Sequence, residues 1–167
     1  MPMASIAFAS SVTRTCSYDQ LDVVTASPSG AYAATGHHGI PFYIVNISGS
    51  ACSLTGYPRI SFAPQSFHGS TLRVVHGGGM IFAAVKPHLV TINAGATASF
   101  GLDFVDAYDQ QDPSGSPCLT QNADVLLPVR SNPSGQYFRP VVSFNFCYAG
   151  FRVALTSIES GPIPKRG

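Results

Sequence analysis

The sequence predicts an all-β domain, an immunoglobulin-like β-sandwich of about nine to ten short strands with two disulfides. Three observations predict it. Apolar residues alternate with a period of two, turn-forming residues separate the alternating stretches, and the four cysteines are widely spaced. The chain has no tryptophan, which excludes the antibody arrangement of a Trp packed on an inter-sheet disulfide. An Ig-like sandwich of another lineage is therefore expected.

Four stretches predict the main strands. The stretch 40–45 is apolar on both faces, which is typical of a central strand. In 98–104, large apolar residues alternate with Ser99, Gly101 and Asp103, so we expect this strand to be buried on one side only. The stretches 142–146 and 151–156 alternate in the same way.

Shorter apolar stretches predict the remaining strands, at 21–26, Arg59–Phe62, 71–75, 81–85, 88–92 and 124–129. Residues that favour turns separate them, at 27–30, 48–50, 77–79, 93–95, 113–115 and 132–135. Nothing in composition indicates a second domain. The predicted division is a flexible N-terminal segment or leader remnant at 1–15, one sandwich domain at 16–160, and a flexible tail at 161–167.

The charge content limits the classes of partner. Nine basic and eight acidic residues give a formal net charge of +1, which supplies no basic stripe for neutralising phosphates, so nucleic acid is excluded as a partner. No apolar run approaches the ~18 residues of a membrane span.

The four cysteines predict an oxidising compartment. Cys16, Cys52, Cys118 and Cys147 include no Cys-x-x-Cys pair, which disfavours a zinc or dithiol redox site. An even number at wide spacing favours two disulfides, although three connectivities are open. The pairs Cys16–Cys52 and Cys118–Cys147 would each contribute about 3–4 kcal/mol in the chain-entropy model. We therefore expect an extracytoplasmic protein, secreted or associated with the cell envelope.

A more specific signature begins at residue 36. The sequence reads Gly-His-His-Gly-Ile-Pro-Phe-Tyr-Ile-Val-Asn-Ile-Ser over 36–48 and Cys-Ser-Leu-Thr-Gly-Tyr-Pro over 52–58. Together with Cys16, the turn at 92–100 and the two later cysteines, it resembles a family of actinobacterial secreted proteins and lipoproteins catalogued as domain of unknown function 4232. The resemblance covers about residues 16–158. The chain departs from the family pattern at 93–94, where a proline usually precedes the glycine, and it lacks a lipobox.

This resemblance implies an Ig-like sandwich in an envelope or extracellular location, and it implies no reaction. The residues of the signature suit a structural role. Asn46 and Ser48 can hydrogen-bond their own backbone to turn the chain, and Cys52 would then tie that turn to the N-terminal segment.

The residues that could carry chemistry show no catalytic or metal-binding motif. The five histidines form no His-x-His or His-Glu-x-x-His motif. They are His37, His38, His68, His76 and His88. The aspartates that recur at every third position do not match a calcium loop, so a solvated strand end is expected for Asp103, Asp106, Asp109 and Asp112. We expect no cofactor, no metal and no catalytic residue.

Aromatic residues near loops are the remaining candidates for a binding surface. If clustered they would form a stacking surface, and if dispersed they would cover the ends of the core. These residues are Tyr32, Tyr57, Phe67, Tyr108, Tyr137, Phe138 and Tyr148.

Three functions compete at this point. The first is a non-catalytic extracytoplasmic domain that binds an unknown protein, glycan or lipid of the cell envelope. The second is an envelope hydrolase, which requires a histidine and an aspartate within hydrogen-bonding reach in a pocket. The third is a structural module that assembles through an edge strand.

Overall fold

A computed structural model describes residues 13–26, 32–34, 36–62, 66–67, 70–71, 73–105, 119–141, 143–146 and 152–167. The described residues contain one 3₁₀ helix, Tyr18–Gln20, and fourteen strands. The count exceeds the nine or ten expected because six of the strands have only two or three residues. The strands are β1 (Leu21–Thr25), β2 (Tyr32–Ala34), β3 (His37–Asn46), β4 (Cys52–Leu54), β5 (Arg59–Phe62), β6 (Ser66–Phe67), β7 (Ser70–Thr71), β8 (Arg73–His76), β9 (Val90–Ile92), β10 (Thr97–Val105), β11 (Leu119–Leu126), β12 (Ser143–Phe146), β13 (Arg152–Leu155) and β14 (Glu159–Ser160).

The largest sheet has seven strands and is built around β3 and β10. Its main order is β1-β3-β10-β13-β8, with β2 paired to β3 and β14 paired to β10. β3 and β10 are antiparallel over nine residue pairs, from Thr97↔Val45 to Val105↔His37. β8 and β13 run parallel, whereas the other pairs in this sheet are antiparallel. The central position predicted for 40–45 is confirmed.

Smaller sheets complete the fold. β12, β11 and β5 form one sheet, β4 pairs with β9, and β6 pairs with β7. Apolar side chains of the large sheet, such as Phe42 and Phe100, share one buried cluster with Phe62 and Val125 of the three-stranded sheet and with Leu54 of β4. Open sheets therefore pack over one core, which is a β-sandwich, and the predicted all-β class is confirmed.

The disulfide Cys16–Cys52 is present, with a Cα–Cα distance of 4.8 Å. It confirms one of the two predicted links. Cys118 and Cys147 lie outside the described residues, so the second link stays a prediction.

The opposite face of the large sheet is also covered, which corrects the expectation for 98–104. Seven consecutive residues of β10, from Ala98 to Phe104, are buried. Gly39 and Gly101 lie on that outer face, and a Cβ atom at Gly101 would lie only 2.6 Å from the ring of Phe82. The missing side chains therefore leave a flat platform on which Phe82 packs, together with Ile81 and Ile163, as a second small core.

Two segments that cover this outer face differ from expectation. Residues 81–85, predicted as a strand, contribute only an isolated bridge at Phe82, since the backbone N–H groups of Met80 and Ile81 donate to a side chain instead of to a ladder. Residues 161–167, predicted as a flexible tail, pack on the same face. Ala83 N–H donates to Pro164 O, and Arg166 N–H donates to Ile81 O, at 2.9 Å in each case.

The turn after β3 is built as predicted. Asn46 is fully buried, and its Oδ1 accepts hydrogen bonds from the N–H and the hydroxyl of Ser48 at 3.0 and 2.7 Å. Its Nδ2 donates to Ser50 O and Ile92 O at 2.8 and 2.9 Å. The side-chain amide of Asn46 thus hydrogen-bonds backbone groups of the turn and of Ile92, and it holds the turn against the end of β9.

Candidate functional site

A polar cleft of about 570 Å³ lies beside the Cys16–Cys52 disulfide. We call it the disulfide cleft. Three stretches of chain that are distant in sequence form its walls. The residues that line it are Thr13, Arg14, Thr15, Ser17, Asp19, Gln20, Ser50, Ala51, Cys52 and Arg130.

The first wall is the described N-terminal stretch, residues 13–15, which lies along β4. Ser53 N–H donates to Arg14 O at 2.9 Å, and Cys16 N–H donates to Ser53 O at 2.9 Å. These two bonds give a parallel bridge between Thr15 and Ser53. Arg14 is therefore mounted on backbone that is fixed immediately beside the disulfide.

The second wall carries Arg130. Its N–H donates to Cys16 O at 2.8 Å, and the next residue, Ser131, accepts a bond from Tyr18 N–H at 3.0 Å. The ring of Tyr18 stacks on Phe138 with centroids 4.3 Å apart. Both arginines are thus anchored through the backbone around Cys16.

The third wall is the polar network below the turn after β3. Gln20 Oε1 accepts bonds from the N–H and hydroxyl of Ser17 at 2.9 and 3.1 Å. Gln20 Nε2 donates to the hydroxyls of Ser48 and Ser50, both at 3.4 Å. These contacts connect the 3₁₀ helix to the turn that Asn46 fixes.

The charges of the disulfide cleft come from two arginines and one aspartate. Arg14, Arg130 and Asp19 are all exposed, and within the part of the chain that the structure describes none of their charged groups has a hydrogen-bonding or ionic partner. Guanidinium groups present several donors in a planar fork that suits carboxylate and phosphate oxygens. The cleft can therefore receive a polar ligand that carries negative charge.

A second cluster joins a histidine to an aspartate, and it corrects the expectation that Asp103 is solvated. Asp103 is 2% exposed. Its Oδ1 lies 2.7 Å from Nδ1 of His37, and its Oδ2 accepts bonds from the N–H groups of Met80 and Ile81. The carboxylate anchors the glycine-rich turn to β10. Asp106, Asp109 and Asp112 lie outside the described residues.

The other histidines are dispersed. His76 stacks on Tyr57 with centroids 3.9 Å apart, His38 lies 5.9 Å from the ring of Phe104, and His88 Nε2 lies 3.9 Å from Glu159 Oε2. His68 lies outside the described residues. Among the residues that can be described, no three His, Cys, Asp or Glu side chains are placed to hold a metal ion.

The aromatic candidates occupy separate positions. Tyr32 packs edge-on against Phe82 and has the Lys165 ammonium 4.0 Å above its ring. Tyr57 belongs to the stack with His76. Phe138 is buried in the main core, whereas Tyr137 is 40% exposed. The side chain of Phe67, together with Tyr108 and Tyr148, lies outside what the structure describes.

A second groove, of about 490 Å³, runs along β1. We call it the β1 groove. It lies between β1 and residues 139–141, and the hydroxyl of Thr25 donates to Val141 O at 3.3 Å. Val24 and Val141, which line it, are 41% and 99% exposed.

The sequence analysis did not single out Arg14 or Arg130. Neither lies in a motif, and they line the same cleft only because the backbone at both positions is held close to Cys16 and Ser53. Local sequence carries no signal for such a pair.

The fold and this site together define a disulfide-braced β-sandwich domain with a polar cleft beside its disulfide. The chain belongs to the family described as "Domain of unknown function (DUF4232)", whose model matches residues 16–150. No match was found among curated proteins or among solved structures. Across the described residues, no helix is long and apolar enough to cross a membrane.

Proposed function

We propose that the protein is a non-catalytic, extracytoplasmic binding domain that holds its ligand in the disulfide cleft. The observation that carries the proposal is the cleft itself, in which charged side chains without partners are mounted on backbone fixed around a disulfide. Rigid walls reduce the entropy that is lost when a ligand binds. This arrangement suits recognition of a protein, glycan or lipid of the cell envelope.

The proposed location, secreted or at the cell envelope, rests on the Cys16–Cys52 link. Disulfides persist in oxidising compartments and are rare in a reducing cytosol. We also propose that the protein comes from an actinobacterium, as the family that its sequence resembles does.

The pair of His37 and Asp103 is the observation that favours a hydrolase, because the two side chains are within hydrogen-bonding reach. However, Asp103 also accepts two backbone N–H bonds from the adjacent turn. Among the described residues, His37 has no hydroxyl or thiol partner that it would activate. A structural anchor accounts for all these contacts, so we assign the pair to the fold.

Substitutions that fill the cleft test the proposal. Ala51 is exposed and lines the cleft, so Ala51→Trp should block it without disturbing the core. Ala94→Trp is the matched control, because Ala94 is also exposed and lies in the turn before β10, outside the cleft. Each variant is immobilised and exposed to an extracytoplasmic fraction of the native host. We expect a component that wild type and the Ala94 variant retain and that the Ala51 variant loses. Equal retention by all three baits would contradict binding in the cleft.

A second candidate function is assembly through β1, and the β1 groove favours it. Gln20 O accepts a hydrogen bond from Ile47 N–H, and Ala26 N–H donates to Pro41 O. Because hydrogen-bonded positions alternate along an antiparallel strand, the backbone N–H and C=O groups of the even-numbered residues of β1 point toward β3. The backbone groups of Val23 and Thr25 therefore face the other edge of β1, along which no strand of the described residues pairs. The Val23 N–H donates to Asp22 Oδ1 there, and a second copy of the chain would add a strand along this edge.

Light scattering over a range of concentrations tests this second candidate. Assembly predicts a mass that rises with concentration and returns to that of a monomer when Val24 and Val141 are both replaced by Lys. Leu89→Lys is the control, because Leu89 is 67% exposed and lies outside the groove. A wild-type mass that stays monomeric would remove this candidate.

A further inference from the structure

We propose that the disulfide cleft binds a phosphate-type oxyanion, held between Arg14 and Arg130. This inference rests on the proposed function and adds the chemistry of the ligand. The first observation that supports it is that both arginines line one cleft and that neither guanidinium group has a partner among the described residues. Two positive charges that line one cleft favour an anion bound near both of them.

The mounting of the two side chains supports a defined site rather than two solvated surface charges. The backbone of Arg14 accepts a bond from Ser53, and the backbone of Arg130 donates to Cys16. The disulfide joins Cys16 to Cys52, which neighbours Ser53 in β4. The two Cα atoms are therefore fixed relative to each other, and only the side-chain torsions remain to be ordered on binding.

Hydroxyl donors beside the arginines favour phosphate over a planar carboxylate. Thr13, Thr15 and Ser50 line the same cleft. Ser50 Oγ accepts a bond from Gln20 Nε2, which leaves its own hydroxyl hydrogen free to donate. A tetrahedral phosphate presents oxygens in several directions and can accept from both guanidinium forks and from these hydroxyls, whereas a carboxylate has only two oxygens.

Asp19 is the one acidic side chain in the lining, and it opposes the proposed anion. With Arg14 and Arg130 it leaves the lining one positive charge in excess. Removing the Asp19 charge should therefore raise the affinity for phosphate, whereas removing either arginine charge should lower it.

The test is a titration of ¹⁵N-labelled protein with inorganic phosphate at constant ionic strength, followed by amide chemical shifts. We expect shifts confined to residues that line the cleft. Arg14→Gln and Arg130→Gln should each weaken the apparent affinity about tenfold, the loss expected for one charge-assisted hydrogen bond. Asp19→Asn should strengthen it. Arg59→Gln, an exposed arginine outside the cleft, is the charge control and should leave the affinity unchanged.

A second arm distinguishes the sources of the phosphate. If vesicles of phosphatidylglycerol retain wild type and release the double arginine variant, with vesicles of phosphatidylcholine as the blank, the source is a lipid headgroup. Shifts with inorganic phosphate and no vesicle binding indicate a soluble phosphate ester.

Phosphate that causes no shift in the cleft, or shifts that survive both arginine substitutions, would overturn the inference. If Ala51→Trp still abolishes ligand capture in that case, the proposed function stands and only the ligand chemistry falls.

Discussion

Nδ1 of His37 lies 2.7 Å from Oδ1 of Asp103, and the two side chains differ strongly in burial. The side chain of His37 is 27% exposed, whereas that of Asp103 is 1% exposed. Asp103 also holds the turn that carries Ile81 and Phe82 onto the outer face of the large sheet. A buried polar anchor of this kind stabilises mainly by satisfying the groups around it.

The asymmetry predicts unequal losses of stability. Asp103→Ala should lower the free energy of unfolding by about 3 kcal/mol, because it leaves the N–H of Ile81 buried without an acceptor. His37→Ala should cost about 1 kcal/mol or less, since the ring is partly solvated. Urea unfolding measures both. If the two losses were equal, or that of His37 larger, Asp103 would not be the anchor.

The glycine platform predicts a steric effect. A Cβ atom at Gly101 would lie 2.6 Å from two atoms of the Phe82 ring, so Gly101→Ala should destabilise by about 1–3 kcal/mol as the ring is forced out. Gly49→Ala is the control, because a Cβ atom there meets nothing within 4 Å. Thermal unfolding of the two variants should differ clearly, and equal midpoints would contradict the packing of Phe82 on Gly101.

The packed C-terminal segment predicts that truncation is costly. Deleting 162–167 removes the buried side chain of Ile163 and the backbone bonds to Ile81 and Ala83. We expect a loss of about 2 kcal/mol or more, together with faster proteolysis near Phe82. Removing Gly167 alone should have no effect, because that residue is exposed. A full truncation with wild-type stability would show that the segment is dispensable.

The ladder between β11 and β12 predicts the second disulfide. Leu119 pairs with Phe146, and the sequence neighbours of these two residues are Cys118 and Cys147. Facing positions in an antiparallel pair are close enough for a disulfide. We therefore predict that Cys118→Ser makes Cys147 reactive toward iodoacetamide and leaves Cys16 and Cys52 protected. A Cys147 that stays protected in this variant would require a different connectivity.

Sequence periodicity predicts the strands that have long partners. β10 alternates large apolar with small or polar residues, β3 is apolar on both faces over 40–45, and the two strands form a ladder of nine residue pairs. The turn at Asn46 and the link from Cys16 to Cys52 were likewise predicted, because an Asx turn is a local interaction and a disulfide requires cysteine.

What the sequence did not predict depends on contacts between distant segments. The small residues Ser99 and Gly101 on β10 suggested a solvated face, yet they make room for the C-terminal segment and Phe82. Ser99 donates to Gly161 O, for example. Small residues are compatible with either solvent or a close neighbour, and only the tertiary structure decides between them. The placement of Arg14 and Arg130 in one cleft beside Cys16 depends on tertiary structure in the same way.

The Cys16–Cys52 link joins two walls of the disulfide cleft, and the proposed extracytoplasmic location rests on it. The direct test is to isolate the protein from its native host, alkylate it without reductant and map its peptides by mass spectrometry. We predict that the peptides containing Cys16 and Cys52 are recovered joined. Their recovery as separate alkylated thiols would contradict both the extracytoplasmic location and the rigid cleft on which the proposed function rests.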